Sequence, residues 1–339
     1  MRMQRSGVVG WMRVAAVVAA STVTLAGCGI LDGSSSDNSS NGGGQVEKSK
    51  VRIGIIASID DAPVKLAEAK GFFKQEGLDV EVKLFQSAAQ TMPALNSGDL
   101  DFSLMNYVTF FQSAASGTLD AKIVADAYQG STDALVMLAK PSANIKTAKD
   151  FEGKKVSVHQ PPGNIADLLF RTTLRDNGAD PSKVTYAPVP FPNIPGALDT
   201  NQIDAGVGIE PFLTQAEEKT GATPVLKIID GPTQDIPLSG YISPTKFATA
   251  NPKTVAAFQR AMAKAQDLAR DRSALADVLP ELTGVDKAQV QLLHLGVFPT
   301  SLDANRLQRV ISLMESYRDL SKVTKDLDAK TFTFTAPGS

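Results

Sequence analysis

The stretch ALNSGDLDFSLMNYVT (residues 94–109) reads as a helix end, a Gly98 stop, a short buried strand at 100–104, and a polar elbow opening the next helix. A second stretch, ALDTNQIDAGVGIEPF (197–212), follows the same plan. Ala94 matches Ala197 and Asp101 matches Asp204, a constant offset of 103 residues. In both, a strand ends at a loop, Met105-Asn106-Tyr107 in one and Ile209-Glu210-Pro211 in the other. Open α/β sheets bind ligands outside the carboxyl ends of their strands. Two such edges in one chain predict two lobes facing each other across a cleft.

Upstream, VRIGII (51–56) predicts a first strand, followed by a helix over 64–75 stopped at Gly77 and an alternating second strand at 80–85. Downstream come a helix over 107–116 and a fourth strand at 122–127. From Lys155 the pattern restarts: a strand at 156–158, a helix over 165–176 stopped at Gly178, and a strand at 184–187. After residues 197–208 come a helix over 211–219 and a strand at 225–229. Such alternation implies mostly parallel sheets covered by helices. Residues 133–143 and 230–241 read as two crossings between the lobes, which together make a hinge. The remainder is helical. Asn251-Pro252 starts a helix whose Val255, Phe258, Met262, Ala265 and Ala269 keep the helical period. Further helices are expected over 274–282, 287–295 and 303–320, then a short strand or tail at 331–335. The expected division is 51–138 with 235–339 in lobe I and 139–234 in lobe II.

A chain of 339 residues is long enough for two such lobes. Its net charge of −2 becomes −5 once three leader arginines are removed, and no basic stripe suggests a nucleic-acid partner. The one cysteine, Cys28, excludes intrachain disulfides and cysteine-based metal sites. No metal or other cofactor is expected. Residues 1–13 carry Arg2, Arg5 and Arg13 and no acid, and the apolar run 14–26 is too short to span a bilayer. Leu25-Ala26-Gly27-Cys28 resembles the bacterial lipoprotein cleavage box, in which the thiol takes a diacylglyceryl group before becoming the new N-terminus. The alternative is an ordinary secretory leader with an accidental cysteine. The expectation is a signal peptide over 1–27, a lipidated Cys28 that anchors an exported protein to the outer face of the cytoplasmic membrane, and a Gly/Ser tether over 28–50. That tether has too little apolar content to fold and would hold the body roughly 25 Å from the membrane, at ~5–6 Å × √n.

Leader, tether, VRIG, KGFFKQEGLDVEV, ALNSGDLDF, FEGKKVSV and NQIDAGVGIEPF together resemble the solute-binding proteins of ABC importers. The group is the one for sulfonates, nitrate, taurine and thiamine-pyrimidine precursors, and the resemblance runs from about residue 51 to 320. It implies an α/β, two-lobe type II periplasmic-binding-protein fold, with extra C-terminal helices on the first lobe and a ligand trapped between lobes. The implied partners are a small-molecule solute, an ABC permease with its ATPase, and the membrane through the lipid anchor. A monomer is expected, because closure needs free lobe motion. A relative of this fold makes the thiamine pyrimidine, but it relies on a cysteine-rich motif and histidine chemistry. Here Cys28 is assigned to lipid and only His159 and His294 remain, so a binding protein and not an enzyme is expected. A sensory lipoprotein would have the same binding chemistry.

Topology and the resemblance place the cleft at the strand-end loops 58–63, 86–90, 105–109, 129–133, 159–164, 191–195 and 209–212, with 239–241 at the return crossing. The candidate ligand-binding residues are Asp60, Asp61, Ser87, Asn106, Tyr107, Ser131, Thr132, Gln160, Gly163, Asn164, Glu210 and Tyr241. Several have a structural reading too. Ser87 and Asn164 suit helix caps, Glu210 a helix start with favourable charge, and Pro161-Pro162-Gly163 a rigid turn. Tyr107, Tyr128 and Tyr241 suit core or cleft alike. The loops hold Asp60, Asp61, Asp133 and Glu210 and no Lys or Arg, with His159 the sole possible cation. Carboxylates in a partly desolvated cleft repel anions. The expected ligand is therefore neutral or cationic with a flat polar ring, such as an aminopyrimidine. A sulfonate or nitrate held by helix N-termini is the alternative.

Overall fold

The computed structural model describes residues 45–86, 88–159, 163–321, 323 and 326–336. The expected leader, Cys28 and the tether up to residue 44 lie outside these, as do Ser87 and Gln160. Ten strands form two five-stranded sheets of one design. The first holds β1 (Lys50–Ile56), β2 (Asp79–Phe85), β3 (Phe102–Asn106), β4 (Ala121–Gln129) and β10 (Pro237–Pro244). The second holds β5 (Val136–Ala139), β6 (Lys155–Ser157), β7 (Thr185–Tyr186), β8 (Ala205–Gly208) and β9 (Thr223–Lys227). Their orders are β2-β1-β3-β10-β4 and β7-β6-β8-β5-β9.

Both sheets are mixed in the same way. β1 runs parallel to β2 and β3, and β6 parallel to β7 and β8. β10 and β5 are antiparallel to both of their neighbours. These two antiparallel strands are the segments read from sequence as crossings. Each enters the sheet of the half it has just reached, so residues 136–139 sit with the second sheet. β5 is buried throughout and β10 over all but its last residue, which explains their near-continuous apolar character. Between β4 and β5, and between β9 and β10, the two connections touch: Gly130 N–H donates to Ile236 O at 3.0 Å. A Cβ on Gly130 would stand 2.2 Å from Ile229 Cδ1, so the glycine permits this close passage.

The 103-residue repeat has a structural basis. Asp101 N–H donates to Arg52 O, and Arg52 N–H donates back to Asp101 Oδ2, both at 2.9 Å. Asp204 and Lys155, the matching pair, make the same two bonds at 2.7 and 2.8 Å. Each aspartate thus fixes the entry of one parallel strand beside the other.

Helices α1 (Ala62–Ala69), α2 (Phe72–Gln75), α3 (Ala88–Ser97) and α4 (Tyr107–Ala115) flank the first sheet. The helix expected over 64–75 is two helices, because Gly71 adopts the left-handed conformation at φ 70°. The second-sheet half carries α5 (Ile165–Asp176), α6 (Ile194–Asp199) and α7 (Phe212–Thr220). α8 (Thr245–Ala250), α9 (Pro252–Leu268), α10 (Arg272–Thr283) and α11 (Ala304–Ser316) follow β10. α9 packs on the first sheet, where Phe258 stacks on Phe102 with ring centroids 4.1 Å apart.

Three segments differ from expectation. Residues 287–295 are not a helix beyond one turn, Gln289–Leu292; the Arg272 guanidinium takes the carbonyls of Val290, Gln291 and Leu293. Residues 331–335, expected as a short strand or a tail, form neither a full strand nor a bare tail; a turn of helix, Ala329–Phe332, is followed by a single parallel bridge between Thr333 and Ile123. The end of the expected tether is docked. The Glu47 carboxylate accepts from Lys253 N–H and Thr254 N–H at 3.0 and 2.8 Å, satisfying two orphan donors at the start of α9.

Candidate functional site

A cavity of about 270 Å³ lies between the two sheets, at the carboxyl ends of β1, β3, β6 and β8. From the first half, Ile56, Ser58 and Asp60 reach it from the end of β1, and Leu104 and Asn106 from β3. Thr109 and Gln112 follow on α4, Leu135 on the first connection, and Leu238 and Ser239 on β10. From the second half come His159, Gly163 and Asn164 after β6, then Ile165 and Ala166 on α5. Phe191 and Ile209 complete the wall.

Two helices start at this cavity. Asn106 caps α4, its Oδ1 accepting from Thr109 N–H at 2.9 Å. Asn164 caps α5, accepting from Asp167 N–H at 3.1 Å while its Nδ2 donates to Val158 O at 3.0 Å. Gly163 has φ 112° and donates to Asp167 Oδ2 at 2.7 Å. A side chain there would be strained and would approach Gln112 to 3.5 Å, so Gly163 marks a close passage of the two halves.

Among the described residues the wall is mostly apolar, with one carboxyl and no Lys or Arg. Asp60 is buried. Ser239 Oγ donates to its Oδ2 at 2.6 Å, and burial pushes its pKa up to about 6. His159 stacks on Phe191 with centroids 3.7 Å apart and planes within 6°. Its Nδ1 accepts from Phe191 N–H at 2.9 Å, which places the proton of the neutral ring on Nε2. Burial pushes its pKa down to about 4, so at neutral pH the one histidine in the wall is uncharged.

Of the candidates named from sequence, Asp60, Asn106, Gly163 and Asn164 come together at this cavity. Five others are spent on structure. Asp61 is buried and accepts from Ile56 N–H at 2.8 Å and Tyr241 Oη–H at 3.1 Å. Tyr107 is buried and donates to Asp126 Oδ1 at 2.7 Å, in a group that also pairs Asp126 with Arg306. Glu210 is buried and accepts from His294 N–H at 2.9 Å and from Thr214. Ser131 donates to Leu295 O at 3.0 Å, and Thr132 is not in the cavity wall. Ser87 and Gln160 lie outside the described residues. Ser58, Thr109, Phe191, Ile209 and Ser239 fall within the expected loops but were not singled out, and His159 was named there only as the sole possible cation, not as a candidate ligand residue. Gln112 fell outside them; its signal is the i+3 step from Thr109, which keeps it on the same face of α4.

Comparison with known proteins places this geometry. The chain is 26% identical to the putative binding protein YtlA of Bacillus subtilis over 268 residues, covering 78% of this chain and 77% of that protein. It is 23% identical to the 4-amino-5-hydroxymethyl-2-methylpyrimidine phosphate synthase THI11 of Saccharomyces cerevisiae over 224 residues, 60% of this chain and 62% of the enzyme. The structure superposes on the alkanesulfonate-binding protein SsuA of Xanthomonas axonopodis pv. citri, bound to MOPS, with a TM-score of 0.72 at 19% identity. That match covers 86% of this chain and 100% of SsuA, and shows that the two-lobe fold is that of periplasmic binding proteins. The model of the family described as NMT1/THI5 like matches residues 58–276, more than half of the sequence, and the chain belongs to that family.

Proposed function

We propose that this protein is an exported, membrane-tethered solute-binding protein that captures a small organic solute between its two lobes and delivers it to an ABC importer. The observation that carries this reading is the cavity itself: it lies between the sheets at their strand ends, and its wall is supplied by both halves of the chain. Its likeness in fold to SsuA and in sequence to YtlA supports the same role. Anchoring through Cys28 belongs to this proposal, and membrane fractionation of a Cys28→Ser variant tests it.

The ligand is a neutral or cationic heteroaromatic, such as a thiamine-precursor pyrimidine. Aromatic and aliphatic side chains line the cavity, and the one charged group among its described residues is a carboxyl, which is able to accept from amino groups. Kinship to the yeast pyrimidine phosphate synthase favours the same chemistry of ligand. A second reading, a sulfonate, taurine or nitrate carrier, has one observation in its favour. The capped N-terminus of α5 opens on the cavity, and helix N-termini favour anions. A thermal-shift screen with pyrimidines, amines, sulfonates and nitrate separates the two. A ligand at 100 times its Kd stabilises the protein by about 2.7 kcal/mol. A shift with sulfonates or nitrate alone would overturn the ligand reading.

A further inference from the structure

Two polar atoms in the cavity wall are buried without a hydrogen-bond partner among the described residues: Asp60 Oδ1 and Ser58 Oγ. Native proteins leave few such atoms, because an unmade bond forfeits the solvation the group lost on burial. Asp60 is held from its other side. Ser239 Oγ donates to Oδ2 at 2.6 Å. Ser239 lies on β10, so one oxygen of the carboxyl is spent on the fold, while the other, Oδ1, is left without a partner in a residue of the cavity wall. Ile56, Leu104 and Leu238 line the same cavity, and among the described residues no Lys or Arg in the wall compensates its charge.

Resting on the solute-binding reading above, the geometry points to a compact organic cation with N–H donors, a protonated amine or amidinium, as the ligand. Its donors fill Asp60 Oδ1 and Ser58 Oγ, and its body lies against the apolar wall. A charge-assisted bond of this kind is about twice as strong as a neutral one. It also supplies the positive charge that the wall lacks.

This pairing makes capture proton-coupled. The titratable groups that interact with Asp60 are Asp61, Tyr241 and Tyr128 within its own half, and His159 lines the same cavity from the other half. Asp61 and both tyrosines are pushed up by burial, and His159 is pushed down. None of them offers a positive charge at neutral pH. Below about pH 6 the Asp60 carboxyl holds a proton. The ligand's N–H⁺ then displaces it, and that proton leaves to solvent as the ion pair forms.

Isothermal titration of the full chain with benzamidine, benzamide and benzoate tests this, since the three are a cation, a neutral molecule and an anion of one shape. Benzamidine is expected to bind at least about tenfold more tightly than benzamide at neutral pH. Its Kd should rise roughly tenfold per pH unit below about 6, with up to about one proton released, read by repeating the titration in buffers of different ionisation enthalpy. Asp60→Asn turns the unpartnered acceptor into a donor and should weaken benzamidine by about 100-fold. Ser58→Ala, which leaves the carboxyl in place, should weaken it by roughly 5–10-fold. Tighter binding of benzoate than of benzamidine, no binding of benzamidine at millimolar concentration, or a benzamidine Kd indifferent to both pH and Asp60→Asn overturns the inference. Benzamide or benzoate binding with a contraction in small-angle scattering would sink the cation while leaving the solute-binding reading intact. No binding or contraction with any small solute would sink that reading itself.

Discussion

Asp60 and His159 titrate in opposite senses within one cavity. The Asp60 pKa rises from 3.8 to about 6, so between those values the folded protein keeps a proton that the unfolded chain has released. Its contribution is therefore full at low pH and is lost as pH rises through that window, by about 3 kcal/mol at roughly 1.4 kcal/mol per unit. The His159 pKa falls from 6.5 to about 4, so the folded protein resists a proton that the unfolded chain accepts. That contribution is full above the window and is lost as pH falls through it. Asp60→Asn removes the first slope alone. The variant should be more stable than the parent by up to about 3 kcal/mol at pH 7, with the difference vanishing towards pH 4. Urea midpoints across that range check it, and a difference independent of pH would refute it. This carboxyl in the cavity wall thus costs the folded protein stability at neutral pH. At this scale the sequence was only half legible. It put Asp60 and Asp61 together at a strand end, but the 3₁₀ turn that follows sends one to the cavity and the other to Ile56 and Tyr241. Glu210 and Tyr107 looked equally placed, yet their partners, His294 and Asp126, lie 84 and 19 residues away, and no local pattern announces them.

Elements whose signals are local were read well. The helix expected over 165–176 is α5 to the residue, because Asn164 caps it and Gly178 follows its end. The repeat at offset 103 was visible because each copy carries its own aspartate, bonded to the strand beside it. Elements that depend on distant partners were not. Residues 287–295 have helical composition, but Arg272 holds their carbonyls. Residues 45–50 look like tether until Glu47 is seen capping α9, 206 residues on. This cap yields an expected outcome: Glu47→Ala should destabilise the protein by about 1 kcal/mol, the usual loss for an N-terminal helix cap. Chemical denaturation measures it, and an unchanged midpoint with an unchanged slope would show that the docked segment contributes nothing. Deletion of residues 1–50 removes the same carboxylate and should cost at least as much.

For the molecule as a whole, the contacts between halves are not confined to the connections. Glu210 accepts from His294 N–H, and Gln289 donates to Glu218. Tyr317 likewise donates to Asp176 at 2.8 Å, and Arg175 pairs with Asp319. The two-lobe fold was legible from sequence because alternating strands and helices repeat; the placing of the crossings was not, because a short apolar run such as VMLA fits a buried strand or a linker equally. β5 and β10 have a consequence for cooperativity. Each half is completed by a strand whose chain has just left the other, and in each sheet that strand lies between two others. Detaching either half would leave its sheet split beside an unfilled slot. Scanning calorimetry should therefore show one transition whose van't Hoff and calorimetric enthalpies agree, and two resolved peaks would contradict this. The same braiding governs how such chains could be recombined. A swap of the second half between relatives that starts at β6 leaves β5 behind, so the block that travels intact must run from 136 through 227.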